Sequence, residues 1–189
     1  TDMHPGVDVI VNDPYAGGTH LPDVTLIRPV FLPHQAAPTF YVANRAHHAD
    51  IGGISPGSMP SSHRPDGSVV ELTINDEGFR IAPTPLTNAI RKAFAEASRT
   101  PNERLGDLQA QEAANHAGEK RLLELLTKYG PSLHAALERL LNYSETRMKQ
   151  VIEQIPNGTY SYRDHMDDDG HGTDPLELNA SIMVSADTV

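Results

Sequence analysis

Cysteine is missing from all 189 residues. No disulfide can staple the fold, no thiolate can act as nucleophile or ligand, and a bound metal has to be held by His, Asp or Glu. A basic excess is missing too: 15 Lys and Arg stand against 25 Asp and Glu, for a formal net charge of −10. That balance disfavours nucleic acid and anionic membrane as partners and leaves small molecules, metal cations or another protein. No apolar run reaches the length of about 18 residues needed to span a bilayer, and the N-terminus lacks the basic-then-apolar pattern of a secretory leader. The expectation is a cytoplasmic protein. The phosphate-cradling Gly-x-x-x-x-Gly-Lys-Ser/Thr loop is absent, so ATP is not expected to bind through a P-loop. Neither an internal repeat nor a low-complexity tract is visible. The chain opens on Thr1 and its first apolar strand follows almost at once, so it reads as a fragment of a longer protein.

What is present divides into three regions. Residues 1–85 carry short β-branched runs, VDVIV, VTLIRPVFL and TFYVANR, each bounded by Gly, Pro, Asn or Asp, which is the pattern of strands and turns. Within this region residues 55–85 are rich in Pro, Gly and Ser, with one expected strand at VVELTI. Residues 86–156 are helical. Thr100-Pro101-Asn102-Glu103 combines a hydroxyl cap, a proline in the first turn and a capping-box acid, and Gly130-Pro131 stops the helix and opens another. Leu122, Leu126, Leu133, Leu137, Leu140 and Leu141 supply apolar faces, so these two helices are expected to pack as an antiparallel pair. In residues 157–189 an Asn-Gly turn leads into strands TYSYRDHM and LELNASIMVSA, joined by the polar loop DDDGHGTD. That loop lacks the spacing of a calcium loop and is expected to be a solvated turn. The class is α+β: an N-terminal antiparallel sheet, a central helical hairpin and a C-terminal β-hairpin.

Two motifs concentrate the chemistry. GGTHLPD precedes the strand over 24–32 and AHHADIGG follows the strand over 39–45. The short loop over 33–38 makes an antiparallel hairpin of these strands. Pairing 32 with 39 sets Val24 opposite His47, so the two motifs meet at the hairpin's open end, about 5 Å apart, one strand spacing. The alternation of a strand sends His47 and His48 to opposite faces, and only one of them can join His20 and Asp23. Two imidazoles and a carboxylate, with positions left for substrate, suit a catalytic divalent metal better than a closed structural site. Gly17-Gly18 and Gly52-Gly53 allow close backbone approach and positive φ. Each residue alone is most simply a turn cap; taken jointly, metal binding is favoured.

Other positions are weighed with it. Asn12 and Asp13 end the first strand, where they either face substrate and chemistry or form an Asx turn before Pro14. Asp107, Gln111 and Asn115 recur at i, i+4 and i+8 on one helix face, and amides in place of Glu and Lys suggest a buried network or a partner contact over a solvated face. Asp107 and Gln111 are therefore also candidates for substrate binding. Arg99 and Arg104 lie at the helix start, where they either hold an anion or form surface ion pairs.

NDPYAGGTHLPDVTLIRPVF, VANRAHHADIGGISPGSMP, RTPNERLGDLQAQEAAN and LNYSETRMKQVIEQIPNGTY with DDDG together resemble the B-type subunit of the hydantoinase/oxoprolinase family, which includes N-methylhydantoinase, 5-oxoprolinase and the acetone and acetophenone carboxylases. The resemblance implies ATP-dependent, metal-assisted opening of a cyclic amide such as a hydantoin or 5-oxoproline. Carboxylation of a ketone is the alternative, and a non-catalytic, metal-stabilised interaction module is a third possibility. It implies a divalent metal, manganese with zinc or iron as alternatives, on His20, Asp23 and His47, the choice of His47 over His48 resting on the resemblance. It also implies an A-type partner subunit that handles ATP and Mg, hence a hetero-oligomer, and no activity in the isolated fragment. Asp13, Asp50 and His48 are the expected catalytic groups nearby, with Asp50 able to take the second N–H of a metal-bound imidazole.

Overall fold

The structure, a computed structural model, describes residues 3–64, 66–168 and 175–188. It divides into two compact units, residues 1–62 with 70–124 and residues 63–69 with 125–189. The α+β expectation is met, with antiparallel sheets, a helical middle and a C-terminal hairpin.

In the first unit, β1 (Val9–Val11), β2 (Asp23–Val30), β3 (Phe40–His47) and β4 (Thr84–Pro85) form an antiparallel sheet in the order β3-β2-β1-β4. One β2 face carries Val24 and Leu26, both fully buried, in a cluster with Ile10, Leu21, Ile51, Phe94 and Leu108. Each such side chain removed from water contributes about 1.5–3 kcal/mol. Phe94 comes from α2 (Asn88–Ala97) and Leu108 from α3 (Pro101–Tyr129), which cover this face. Proline at the first position and Gly130-Pro131 at the end bound α3 as the sequence led one to expect.

The β2–β3 hairpin forms with a register one residue from the expected one: Asp23, not Val24, stands opposite His47. Thr39 N–H bonds to Val30 O across the loop end, which shifts the pairing inward. The strand expected at VVELTI is also not formed. Thr73 and Asp76 instead make a reciprocal capping box that starts a short helix, α1 (Ile74–Glu77), and local side-chain hydrogen bonds override the β-branched composition.

The second unit contains α4 (Ser132–Ile152) and a two-stranded sheet of β5 (Gly158–Met166) and β6 (Leu176–Val184), paired from Gly158↔Val184 to Met166↔Leu176. Leu133 is buried near the start of α4, but Leu140 and Leu141 are 59% and 71% exposed. The continuous burial expected of a helical pair therefore fades along α4. Residues 169–174 of the DDDGHGTD loop lie outside the described residues.

Candidate functional site

The THLPD segment is a tight turn in which Asp23 N–H donates to His20 O at 2.8 Å. The fully buried Leu21 pins that turn in the core, leaving His20 and Asp23 toward the outer sheet face. His48 N–H donates to Pro22 O at 2.8 Å. The adjacent Asp23–His47 pair is therefore of the non-hydrogen-bonded kind, whose side chains stand closest, with Cα atoms about 4.5 Å apart. His47 Nδ1 lies 2.9 Å from Asp23 Oδ1, and the His20 ring stacks on the His47 ring with centroids 5.5 Å apart and planes at 28°. The hydrogen bond from His47, reinforced by the nearby His20 and Arg45, holds the Asp23 pKa below its ordinary value, so the carboxylate stays ionised.

This donor set suits a divalent metal of the manganese, iron or zinc kind. A nitrogen and an oxygen 2.9 Å apart match two neighbouring ligands at about 2.1 Å from one ion. Among the described residues no group of three or more His, Cys, Asp or Glu already surrounds a common point. Asp23 and His47 are thus placed as a pair, with the His20 ring stacked on that of His47. A depression of ≈ 280 Å³ adjoins His20 and is lined by Ser58, Met59, Pro60, Leu72 and Glu77.

His48 points the other way. It is 1% exposed, packs edge-on against Phe94 at 5.1 Å, and faces Gln111 of α3. Its tautomer follows from its neighbours. Val24 O can only accept, so the Gln111 amide nitrogen must face it, at 2.9 Å, and Gln111 Oε1 is left for His48 Nε2 at 3.0 Å. Nε2 therefore carries the proton and Nδ1 is bare. Nδ1 is buried without a hydrogen-bond partner, 3.9 Å from Asp107 Oδ2. Burial lowers the His48 pKa, so the neutral ring is the folded form. Above about pH 6.5 both folded and unfolded chains hold this ring neutral. As pH falls through that value the unfolded chain takes the proton first, and stability is lost by up to about 1.4 kcal/mol per pH unit until the folded pKa is reached. Denaturant midpoints at pH 7.5 and 5 are expected to show a smaller acid loss in His48→Gln than in the wild type; an equal loss would contradict a buried neutral ring.

The polar stripe on α3 is a buried network. Asn44 Nδ2 donates to Gln111 O and to Asn115 Oδ1, both at 2.8 Å, and Asn115 Nδ2 donates to Asp8 Oδ1 at 3.0 Å. Asp8 in turn holds Arg28 through two hydrogen bonds, and Arg28 pairs with Glu119 at 3.2 Å. Gln111 is thereby committed to the sheet, which argues against its expected substrate contact. Asp107, 49% exposed at its side chain, pairs with Arg104 at 2.8 Å and lines, with His47, His48 and Gln111, a depression of ≈ 340 Å³.

Three other expectations change. Asn12, expected to face substrate, is fully buried: its Nδ2 donates to Leu21 O and Phe79 O, and its Oδ1 accepts from Ile81 N–H. Every lone pair and proton aimed at neighbouring backbone is one unavailable to a ligand. Asp13 caps the 3₁₀ turn at Pro14–Ala16 by accepting from Tyr15 N–H at 3.0 Å, the Asx alternative. Asp50, expected beside a metal-bound imidazole, instead accepts from Gly52, Gly57 and Arg99 N–H and from the Arg99 guanidinium at 2.9 Å. Arg99 and Arg104 accordingly form ion pairs and not an anion cradle. The glycine pairs do meet their expected role: Gly53 has φ +81° and a Cβ there would strike Glu77 O, while one on Gly18 would strike Asn12 O.

The family model described as hydantoinase B/oxoprolinase matches residues 1–189. The chain belongs to the hydantoinase B/oxoprolinase family. Its relatives include a 5-oxoprolinase of Dictyostelium discoideum, 37% identical over 86% of this chain and 13% of that protein. The B-type subunit of a putative D-/L-hydantoinase from a Pseudomonas species is 32% identical over 94% of this chain and 30% of that one. The crystal structure of the ATP-dependent caprolactamase from Pseudomonas jessenii superposes with a TM-score of 0.82 at 26% identity, covering 98% of this chain and 32% of that one. The hydantoinase B/oxoprolinase chain thus spans less than a third of the length of these relatives. No helix among its described residues is long and apolar enough to cross a membrane.

Proposed function

We propose that the chain is the metal-site portion of a B-type subunit in an ATP-dependent enzyme that opens cyclic amides, working with an A-type subunit that handles ATP. The observation that carries the reading is the Asp23–His47 pair with His20 stacked upon it, on an open face beside a depression. Family membership supports it, since relatives are named for 5-oxoprolinase, D-/L-hydantoinase and caprolactamase. A divalent metal on His20, Asp23 and His47 would supply Lewis acidity toward an amide carbonyl oxygen. The protein's own contribution is positional. Asp23 stays ionised and fixes the His47 ring, the buried Leu21 turn fixes Asp23 and His20, and Met59, Pro60 and Leu72 provide an apolar wall on which a small ring can rest. Ketone carboxylation would use the same donors with a different substrate.

The test is metal content. The full-length subunit, purified with its ATP-handling partner, is expected to hold about one divalent ion per B-type chain, and Asp23→Ala is expected to lose most of it, at least the roughly 10–100-fold in affinity that even an outer hydrogen-bond partner commands. An active wild-type complex free of divalent metal, or an Asp23→Ala complex that retains it, would overturn the assignment.

A further inference from the structure

Arg45 stands on β3 two residues before His47, so its side chain leaves the same, outer face of the sheet. It is paired in register with Thr25, as His47 is with Asp23. Its guanidinium is tied down: Nε donates to Thr25 Oγ1 at 2.9 Å, Nη1 to Thr19 Oγ1 at 3.4 Å and Nη2 to Gly17 O at 3.5 Å. The Thr19 hydroxyl also donates to Asp23 Oδ2 at 3.5 Å. A continuous chain of contacts therefore runs from Arg45 through Thr19 to Asp23, His47 and His20.

The charge around Arg45 is unbalanced. In this unit Arg28, Arg80, Arg91, Arg99, Arg104 and Arg121 each form an ion pair with a carboxylate. None of the ion pairs found among the described residues includes Arg45. Asp23, whose charge it influences, is engaged by His47. In a chain with net charge −10, Asp23 thus has a guanidinium and two imidazoles around it. A guanidinium has five N–H groups, of which three are used here, so one remains on each of Nη1 and Nη2. A planar, prepositioned pair of donors matches two oxygens of a carboxylate or a phosphate.

We propose that Arg45, held by Thr25 and Thr19, is a positioning residue that docks an anionic group of the ligand bound at the His20–Asp23–His47 face. The inference rests on the reading that this face receives substrate, and it adds that the ligand carries a carboxylate or a phosphoryl group there. Its structural alternative is a plain cross-strand Arg–Thr pair on a sheet surface, which would be indifferent to the ligand's charge.

Matched ligands separate the two. In the ¹⁵N-labelled full-length subunit, the Arg45 Nε–H resonance, assigned by its loss in Arg45→Gln, is followed on titration with 5-oxoproline, with 2-pyrrolidone, which is the same ring without the carboxylate, and with inorganic phosphate. A saturable shift with 5-oxoproline identifies a carboxylate source, one with phosphate alone identifies a phosphoryl source, and 2-pyrrolidone is expected to leave the resonance in place. Arg45→Lys, which keeps the charge and loses the fork, is expected to weaken anion binding about tenfold, the cost of roughly one charge-assisted hydrogen bond. Arg45→Gln is expected to abolish it with an unchanged unfolding midpoint. A shift with 2-pyrrolidone equal to that with 5-oxoproline, no shift with either anion, or undiminished binding in Arg45→Gln would overturn the proposal. The readout needs neither metal nor turnover, so a wild-type protein that holds metal but binds neither anion refutes this inference alone, and one that binds an anion but holds no metal refutes the metal assignment alone.

Discussion

Replacing Asp50 by alanine is expected to lower the unfolding free energy by about 3 kcal/mol, a large share of a typical domain's stability. Asp50 is 7% exposed and fills its acceptor sites with Gly52 N–H at 3.0 Å, Gly57 N–H at 3.1 Å, Arg99 N–H at 3.2 Å and the Arg99 guanidinium at 2.9 Å. Alanine leaves these donors facing a site that water enters poorly. Arg99 is 40% exposed at its side chain and can be rehydrated, which keeps the loss below that of a fully enclosed pair. Asp50→Asn keeps an acceptor oxygen and should fall between alanine and wild type. Burial by itself would raise the Asp50 pKa, but the hydrogen bonds from Gly52, Arg99 and Gly57 and from the Arg99 side chain outweigh it and hold the group below its ordinary value. The sign follows: the stabilisation is present above the unfolded carboxyl pKa, near about 3.9, and is lost as pH falls through the lower folded value. Wild type should therefore lose stability in this acid range, and Asp50→Asn should lose less. Urea midpoints measured across that range check both statements, and an Asp50→Ala cost under about 0.5 kcal/mol, the level of an ordinary surface change, would mean the loop is not held this way.

That Asp50 serves the loop could not be read from the sequence, because Arg99 stands 49 residues away and reaches it only once α2 has packed. The same holds for Asn12, whose partner Ile81 lies 69 positions on. Sequence separations of that size leave no local trace. What local pattern does encode came through. Proline and the Gly-Pro stop bounded α3, alternation sent His47 and His48 to opposite faces, and amides in the Asp107, Gln111, Asn115 stripe marked a buried network. The hairpin brought the two motifs together, but its register was open by one residue, because a loop over 33–38 tolerates either count and only the Thr39–Val30 bond decides it. VVELTI failed for the opposite reason: composition favoured a strand, and the Thr73–Asp76 cap acted more locally still. Arg45 carried a legible signal, two residues from His47 on a strand and so on its face, whereas its lack of a carboxylate partner is visible only in three dimensions.

His20→Ala, in the full-length subunit paired with its ATP-handling partner, is expected to uncouple ATP hydrolysis from ring opening. The ring of His20 rests on His47 at 5.5 Å, and the Leu21 turn that carries it belongs to the core, so removing the imidazole takes away a donor without disturbing the backbone. Asp23 and His47 keep their 2.9 Å contact and remain a two-donor pair. Two protein donors hold a divalent ion far more weakly than three, and the loss in metal content and ring opening should exceed the roughly 10–100-fold typical of disturbing an outer hydrogen-bond partner. Phosphate release belongs to the other subunit in this reading and should persist at least in part. The quantity to measure is phosphate released per ring opened, which should rise by a factor of ten or more above wild type, about 1.4 kcal/mol of lost coupling. His34→Ala, an exposed loop histidine outside the cluster, serves as the control and should leave the ratio unchanged. If His20→Ala kept both activities and the metal, His20 would be a turn residue beside an Asp–His pair, and the third donor would have to be sought elsewhere on the outer face.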